Sequence, residues 1–322
     1  MIDKLKNIFI IPELRQRILF TIGVLVIVRT GAHIPIPGVN GETLADAFTD
    51  MKTGLFGLFN TFVGGAFEKA SLFSLGIMPY ISSSIIIQLM GSVVPYFQRL
   101  QKEGEAGRKK INQITRYGTV LLSTMQSYGV VAVFLPSLNS NGVPVVPNPG
   151  WVFIFTGIIS MVTGTLFLMW LGERITERGI GNGISLIIMV GIVAAFPNVI
   201  LNEVTLLKEN VRGWLSEIVL MGIMFGIICF VVLLTQGTRK IPVQYAKRVV
   251  GRKVYGGQNT HIPMKVNTAG VMPIIFAQSI MFIPSTLSTF LGDSDFSVML
   301  MGWFSFEHPF YWTVFGLMII FF

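Results

Sequence analysis

Cysteine is almost missing: Cys229 stands alone among 322 residues, so no intrachain disulfide can form and no thiolate cluster can hold a metal. Histidine is nearly as scarce. His33, His261 and His308 are scattered and lack acidic or cysteine neighbours at ligand spacing, which removes the usual metal and acid–base constellations. Charge is thin as well, 12% of residues against about 25% in an ordinary soluble domain. No Walker phosphate loop occurs, so any work on a substrate draws its energy from a partner. The glycines of ITERGIGNGIS, Gly179, Gly181 and Gly183, do not replace it: no strand precedes them, and they read as a tight turn into a helix. These absences leave no catalytic residue, no metal and no cofactor to propose. What is abundant is apolar, 52% of the chain, which implies an all-α polytopic membrane protein.

A bilayer core takes about 20 apolar residues per helix. On that template spans are expected near residues 18–34, 71–96, 117–138, 150–171, 184–201, 214–235 and 269–291, with an eighth starting near Pro309. From Pro309 to Phe322 the last span reaches about 21 Å at 1.5 Å per residue, short of a core of about 30 Å; the natural chain is therefore expected to continue. The first apolar run is preceded by basic residues but followed by AHIPIPGV, not a small-residue cleavage site, and reads as a retained helix.

Most of the 24 Lys and Arg lie in four segments: the N-terminus (Lys4, Lys6, Arg15, Arg17), the loop after span two (Arg99, Lys102, Arg108, Lys109, Lys110, Arg116), Arg174 and Arg178, and the loop 236–268 (Arg239, Lys240, Lys247, Arg248, Arg252, Lys253, Lys265). Alternate loops share one side, so these segments and the N-terminus are expected in the cytoplasm. The +8 net charge is then a topological signal more than a nucleic-acid one.

Two short segments echo each other 194 positions apart, GIMPYISSSII from Gly76 and GVMPIIFAQSI from Gly270. Paired repeats of this kind mark membrane folds whose halves face a central path; the halves are expected at 1–201 and 202–322. Pro79 and Pro273 suit helix first turns, with Ile81, Ile85 and Gln88 then on one face and Ile275 in the register of Ile81. Residues 54–70, GLFGLFNTFVGGAFEKA, are apolar yet too short to cross. They either re-enter the protein beside a cavity or lie on the surface as an amphipathic helix. The basic loop 236–268 is longer than topology needs and suggests a cytosolic partner, one with RNA phosphates included.

IPIPG (Ile34 to Gly38), FSLGIMPYISSSIIIQL (Phe73 to Leu89), KEGEAGRKKI (Lys102 to Ile111), ERGIGNGIS (Glu177 to Ser185) and YAKRVVGRKVYGGQNTHIPMKVN (Tyr245 to Asn267) resemble the SecY family of bacterial protein-translocase channel subunits, in order and along the whole chain. The resemblance implies two inverted five-helix halves around an hourglass pore in the bacterial inner membrane, with eight of ten spans represented here. It implies a pore ring of Ile81, Ile85, Ile184, Ile188 and Ile275; a sixth member would come from span ten. It makes 54–70 a plug, with Phe56, Phe59, Asn60, Phe62, Gly64 and Gly65 as its characteristic residues. It implies SecE and SecG as membrane partners, the SecA motor and the ribosome with its rRNA as docking partners, and signal-bearing preproteins as clients released to membrane lipid. Docking is expected on the basic loop at Arg239, Lys240, Lys247, Arg248, Arg252 and Lys253. Gln126 is carried over to the lateral gate. Gln88 and Gln278 join it because an amide in lipid is costly unless partnered, so both should face the bundle or the pore.

The main alternative is an ion-coupled solute transporter. Such proteins keep ionisable groups near the midplane, whereas here Arg29 and Glu217 sit near span ends and the centres hold none. A membrane scaffold that only binds ribosomes leaves the repeated proline motifs unexplained.

Overall fold

The computed structural model describes residues 11–49, 55–140, 142–209, 211–243, 248–250, 253–255, 260–267, 270, 272–291, 295–305 and 308–322. The chain divides into two compact units, one of Met1–Asn198 with Ile275–Phe322 and one of Val199–Ile274.

In the first unit, α1 (Pro12–Gly31) is followed by α2 (Gly41–Thr49), α3 (Leu55–Phe62) and α4 (Met78–Val93). Then come α5 (Pro95–Lys102), α6 (Glu105–Tyr128) with a π-helical turn at Gly129–Phe134 and a last turn α7 (Leu135–Ser137), a minimal hairpin of β1 (Asn139–Ser140) and β2 (Val143–Pro144), α8 (Trp151–Arg178) and α9 (Gly183–Ala194). Across the boundary runs α10 (Phe196–Lys208), and α12 (Met272–Leu291), α13 (Asp295–Trp303) and α14 (Pro309–Phe321) complete the helices. Every expected span coincides with a helix, and the runs 105–137, 151–178, 183–208 and 214–236 are each long and apolar enough to cross a bilayer.

One boundary is corrected. Span two was expected from residue 71, but α4 starts only at Met78. Gly76 is left-handed at φ +56° and Pro79 occupies the first turn, so 71–77 forms an irregular buried approach with Ser71 and Ser74 fully enclosed. Such backbone survives at depth only inside protein. Leu72 N–H donates to Ile34 O at 2.9 Å, and Ser74 Oγ to the carbonyls of Ser71 and Ala66.

Helices in lipid gain by close packing rather than by escaping water, which favours small residues at their contacts. Gly157, Gly164 and Gly172 fall on one face of α8. A Cβ on Gly157 would meet Val131, one on Gly164 the Leu72 carbonyl and Phe73, and one on Gly172 the side chain of Ile184. On α6 the equivalent small face is Thr115, Thr119, Ser123 and Ser127, all buried. Thr115 and Thr119 hydroxyls donate to their own helix's carbonyls at Ile111 and Thr115, so the face is small without leaving polar atoms unpaired. Ser83 of α4 donates to Thr115 O at 2.9 Å and fixes that contact.

The turn 179–182 delivers α9. Asn182 accepts from Ile184 N at 3.0 Å and Ser185 N at 3.3 Å, while Gly181 takes φ +71° and Gly183 N–H reaches Thr176 Oγ1. It is a cap and a turn, as the missing strand implied. Replacing Asn182 by Ala removes the cap and is expected to cost about 1 kcal/mol. The apparent Tm in detergent should fall by about 2–4 °C, and Asn182→Asp should keep it.

In the second unit α11 (Trp214–Gln236) leads into a two-stranded antiparallel ribbon of β3 (Thr238–Val243) and β6 (Thr260–Lys265), with β4 (Arg248–Val250) paired to β5 (Lys253–Tyr255). The register runs from Thr238 opposite Lys265 to Val243 opposite Thr260, placing Lys240 against Pro263 and Pro242 against His261. The sequence reading gave this loop no strands, and that omission is corrected here.

Candidate functional site

Three helix starts converge. Ile81 and Ile85 lie one turn apart on α4, Ile184 and Ile188 one turn apart on α9, and Ile275 in the first turn of α12. Ile81, Ile85, Ile187 and Ile275 belong to one buried cluster, and Ile184 and Ile188 pack against it partly buried. Each helix begins a few residues before its isoleucine, so local start signals set the radial position of each side chain. For α4 and α12 the signals match: Gly76 and Gly270 are both left-handed, at φ +56° and +65°, and Pro79 and Pro273 follow three residues later. The repeat extends to burial, since Ile81 and Ile275, Ser83 and Ala277, and Ile85 and Ser279 are all buried.

Residues 55–70 lie inside the protein. Phe59, Ala66, Phe67 and Ala70 are buried, which decides against a helix lying on the surface. Four rings gather there: Phe59 and Phe67 meet edge to face at 5.2 Å, Phe48 and Phe67 at 5.4 Å, and Phe67 stacks on Phe134 at 5.7 Å. Beyond α3 the chain turns at Gly64 and Gly65, φ +71° and +80°. Asn60 staples this turn, its carbonyl accepting from Gly65 N at 2.8 Å and its amide exchanging bonds with Glu68 at 3.1 Å each way. Phe62, half-buried, and Gly64, buried, face α9. The side chain of Phe56 lies outside the described residues. A cavity of about 40 Å³ remains between this segment and the spans, lined by Val28, Arg29, Phe62, Val63, Ile187 and Ile188 among others.

The glutamines separate. Gln278 is buried and Gln126 half-buried. Gln88 is exposed, against expectation: α4 is still covered there on the side of Ile87 and Gly91, which are buried, and Gln88 falls on its outer side with Leu89 and Met90. Of the docking residues, Arg239 and Lys240 are exposed on β3. Arg248 and Lys253 belong to β4 and β5 with their side chains outside the described residues, as Lys247 and Arg252 are entirely. Among the described residues no group of acidic, histidine and cysteine side chains could hold a metal.

Sequence reasoning missed one contact. Arg29 of α1 donates from Nη1 to the carbonyl of Gly64 at 2.6 Å. An arginine inside a span was a signal in its own right, but nothing in the sequence tied it to a residue 35 positions away.

The sequence profile of the SecY family matches residues 71–322. The chain belongs to the SecY family. The protein translocase subunit SecY of Escherichia coli K12 is 49% identical over 87% of this chain and 63% of its own length, and that of Haemophilus influenzae 45% identical over 96% and 70%. Among solved structures, one described as showing that the plug domain of SecY stabilises the closed state matches with a TM-score of 0.62 at 18% identity, over 89% of this chain and 59% of that one. Sec61 of the canine ribosome–channel complex matches with a TM-score of 0.55 at 16% identity, over 89% and 60%. These likenesses establish a SecY-type fold. The chain spans about three fifths of the solved channels and of the Escherichia coli relative. The SecY family comprises translocase subunits, not enzymes, and its members cross the membrane many times. Membership leaves the solute-transporter alternative without support.

Proposed function

We propose that this chain forms the conducting part of a Sec-type protein translocase, through which signal-bearing polypeptides cross the membrane and from which apolar segments leave sideways into lipid. The observation that carries the reading is the isoleucine cluster drawn from α4, α9 and α12 beside a docked apolar helix, in a chain of a translocase family. Ile81, Ile85, Ile184, Ile188 and Ile275 form the constriction. Aliphatic side chains offer ions no coordinating group and gate by dewetting, yet a passing polypeptide displaces them. Residues 54–70 are the plug that closes the outer funnel.

The halves are 1–201 and 202–322, with the N-terminus in the cytoplasm of a bacterium and the protein in its inner membrane. Gln88, Gln126 and Gln278 mark the lateral exit. The basic loop 236–268, at Arg239, Lys240, Lys247, Arg248, Arg252 and Lys253, receives the ribosome and the SecA motor, because closely spaced cations attract phosphates and carboxylates. SecE braces the halves and SecG lies peripherally.

The deciding experiment places a photoreactive residue at Ile81 and stalls a secretory nascent chain on ribosomes bound to membranes containing the protein and SecE. An adduct between position 81 and the nascent chain is expected, with none from an exposed control such as Leu215. Equal labelling at both positions would remove Ile81 from the path.

A further inference from the structure

We propose that Arg29 is the positioning residue that holds the plug at rest, its guanidinium latching the carbonyl of Gly64, and that loss of this bond shifts the plug toward its displaced position. The proposal rests on the plug reading of residues 54–70. Arg29 lies in the last turn of α1, half-buried, and a charged side chain at the end of a span still calls for a partner. Among the described residues no carboxylate pairs with Arg29; its hydrogen bond goes to Gly64, at 2.6 Å, a short charge-assisted contact.

The corner that receives it is built for close approach. At Gly64, in the left-handed region, a Cβ would lie 2.9 Å from Gly191 Cα and 3.3 Å from Arg29 Nη1. A Cβ on Gly191 would lie 2.7 Å from the Phe62 carbonyl. Glycine on both sides of the contact brings the Gly64 carbonyl within reach of α1 while its backbone rests on α9. The position of the acceptor is then set by backbone, and only the Arg29 side chain can adjust to it.

The same corner is prepared to leave as a unit. Asn60 closes the turn with bonds internal to the segment, and these survive displacement, whereas the Arg29 bond does not. The segment's exit is anchored: Ala70 O accepts from Ile36 N, and Pro35 bridges Ser71. Ala70 sits there at φ +39°, a left-handed value that costs a non-glycine residue energy, so a hinge at Ala70 relaxes when the corner departs. The cavity behind Phe62 and Val63 leaves that side of the corner loosely packed, so that besides the Arg29 bond the motion is opposed chiefly by the ring contacts of Phe67 with Phe48 and Phe134.

The test uses the protein in its complex in proteoliposomes, with Cys229→Ser as background and Ala66→Cys as reporter. Ala66 is fully enclosed, so a membrane-impermeant maleimide added outside reports the undocked fraction. Loss of a hydrogen bond to a charged group shifts such an equilibrium about tenfold to a hundredfold. Arg29→Met is expected to raise the labelling rate by at least about tenfold, and Arg29→Lys, which keeps a charged donor, to return it most of the way. A purely structural loss would not be rescued in that order. If Arg29→Met is degraded, Gly191→Ala, which wedges the corner off α9, is expected to raise labelling in the same way.

A second chain carries Val63→Cys with Gly76→Cys. A Cβ at Gly76 lies 3.6 Å from Val63 Cβ, within disulfide range, so oxidation locks the corner in place and should stop the transport of a secretory precursor that the reduced form, with the same side chain at left-handed residue 76, still supports. Unchanged labelling in Arg29→Met, whatever Gly191→Ala does, with the lock still stopping transport, overturns the latch and leaves the plug. Full transport through the oxidised lock overturns the plug reading itself.

Discussion

A chain with Ile81→Gly and Ile275→Gly together is expected to leak ions at least about tenfold faster than the parent when the complex is reconstituted and a potential applied. Keeping a constriction dry depends on the apolar surface that water would have to cover, at about 25 cal/mol per Å². Two isoleucines lost from opposite helix starts remove about 1.5–3 kcal/mol each of that penalty as an upper figure, and about 1.4 kcal/mol already corresponds to tenfold in rate. The pair is chosen because the two residues occupy the same register of the two repeats and both are buried. Ile223→Gly with Ile227→Gly, both exposed, serves as the control for helix weakening, about 1 kcal/mol for each glycine. Conductance equal to the control's would remove these residues from the constriction.

The largest stability effect is expected at Gly164. A Cβ there would press into the Leu72 carbonyl, 2.8 Å from its carbon, and lie 3.1 Å from the Phe73 ring. Neither neighbour can yield cheaply. Leu72 is held by its bond to Ile34 and Phe73 is wedged against Gly31 and stacked on Phe167. Overpacking of a tight contact costs about 1–3 kcal/mol where side chains can adjust; with backbone as the obstacle, Gly164→Val should exceed that and remove most folded protein from the membrane. Gly23→Ala, with open space around its Cβ, should be neutral or stabilise α1 by up to about 1 kcal/mol. Folded yield by size-exclusion chromatography in detergent separates the two. Equal yields would mean that α8 and the 71–77 approach are less closely seated than described.

Much of this arrangement was legible because it is written in residues that act locally. Gly76 and Pro79, and Gly270 and Pro273, fix helix starts by their own backbone preferences, so the register of Ile81 and Ile275 follows from counting. Asn182 could have been read as a cap from its place just before an apolar run. The four hydroxyl residues of α6 carried a signal too, at four-residue spacing, but hydropathy alone registers them as weak span and not as a packing face. Gln88 came out exposed for a different reason: burial cost predicts where an amide is unwelcome, not which side of its helix the neighbours cover. The Arg29 contact was illegible because it joins a side chain to a backbone carbonyl, and a carbonyl has no residue type. The ribbon was hidden by charge, since Arg239, Lys240 and Lys265 drew the reading toward docking and away from the alternation around Ile241, Ile262 and Met264.

That ribbon has another property. A sheet of two strands is all edge, and exposed edges invite neighbouring copies to zip together. Here each long strand carries a proline, Pro242 next to the end of β3 and Pro263 near the middle of β6, with Lys240 directly opposite Pro263. A proline offers no N–H to an incoming strand, and clustered lysine and arginine repel a second ribbon of the same charge. A membrane crowded with copies of this protein can therefore hold their ribbons side by side without seeding aggregation from one molecule to the next.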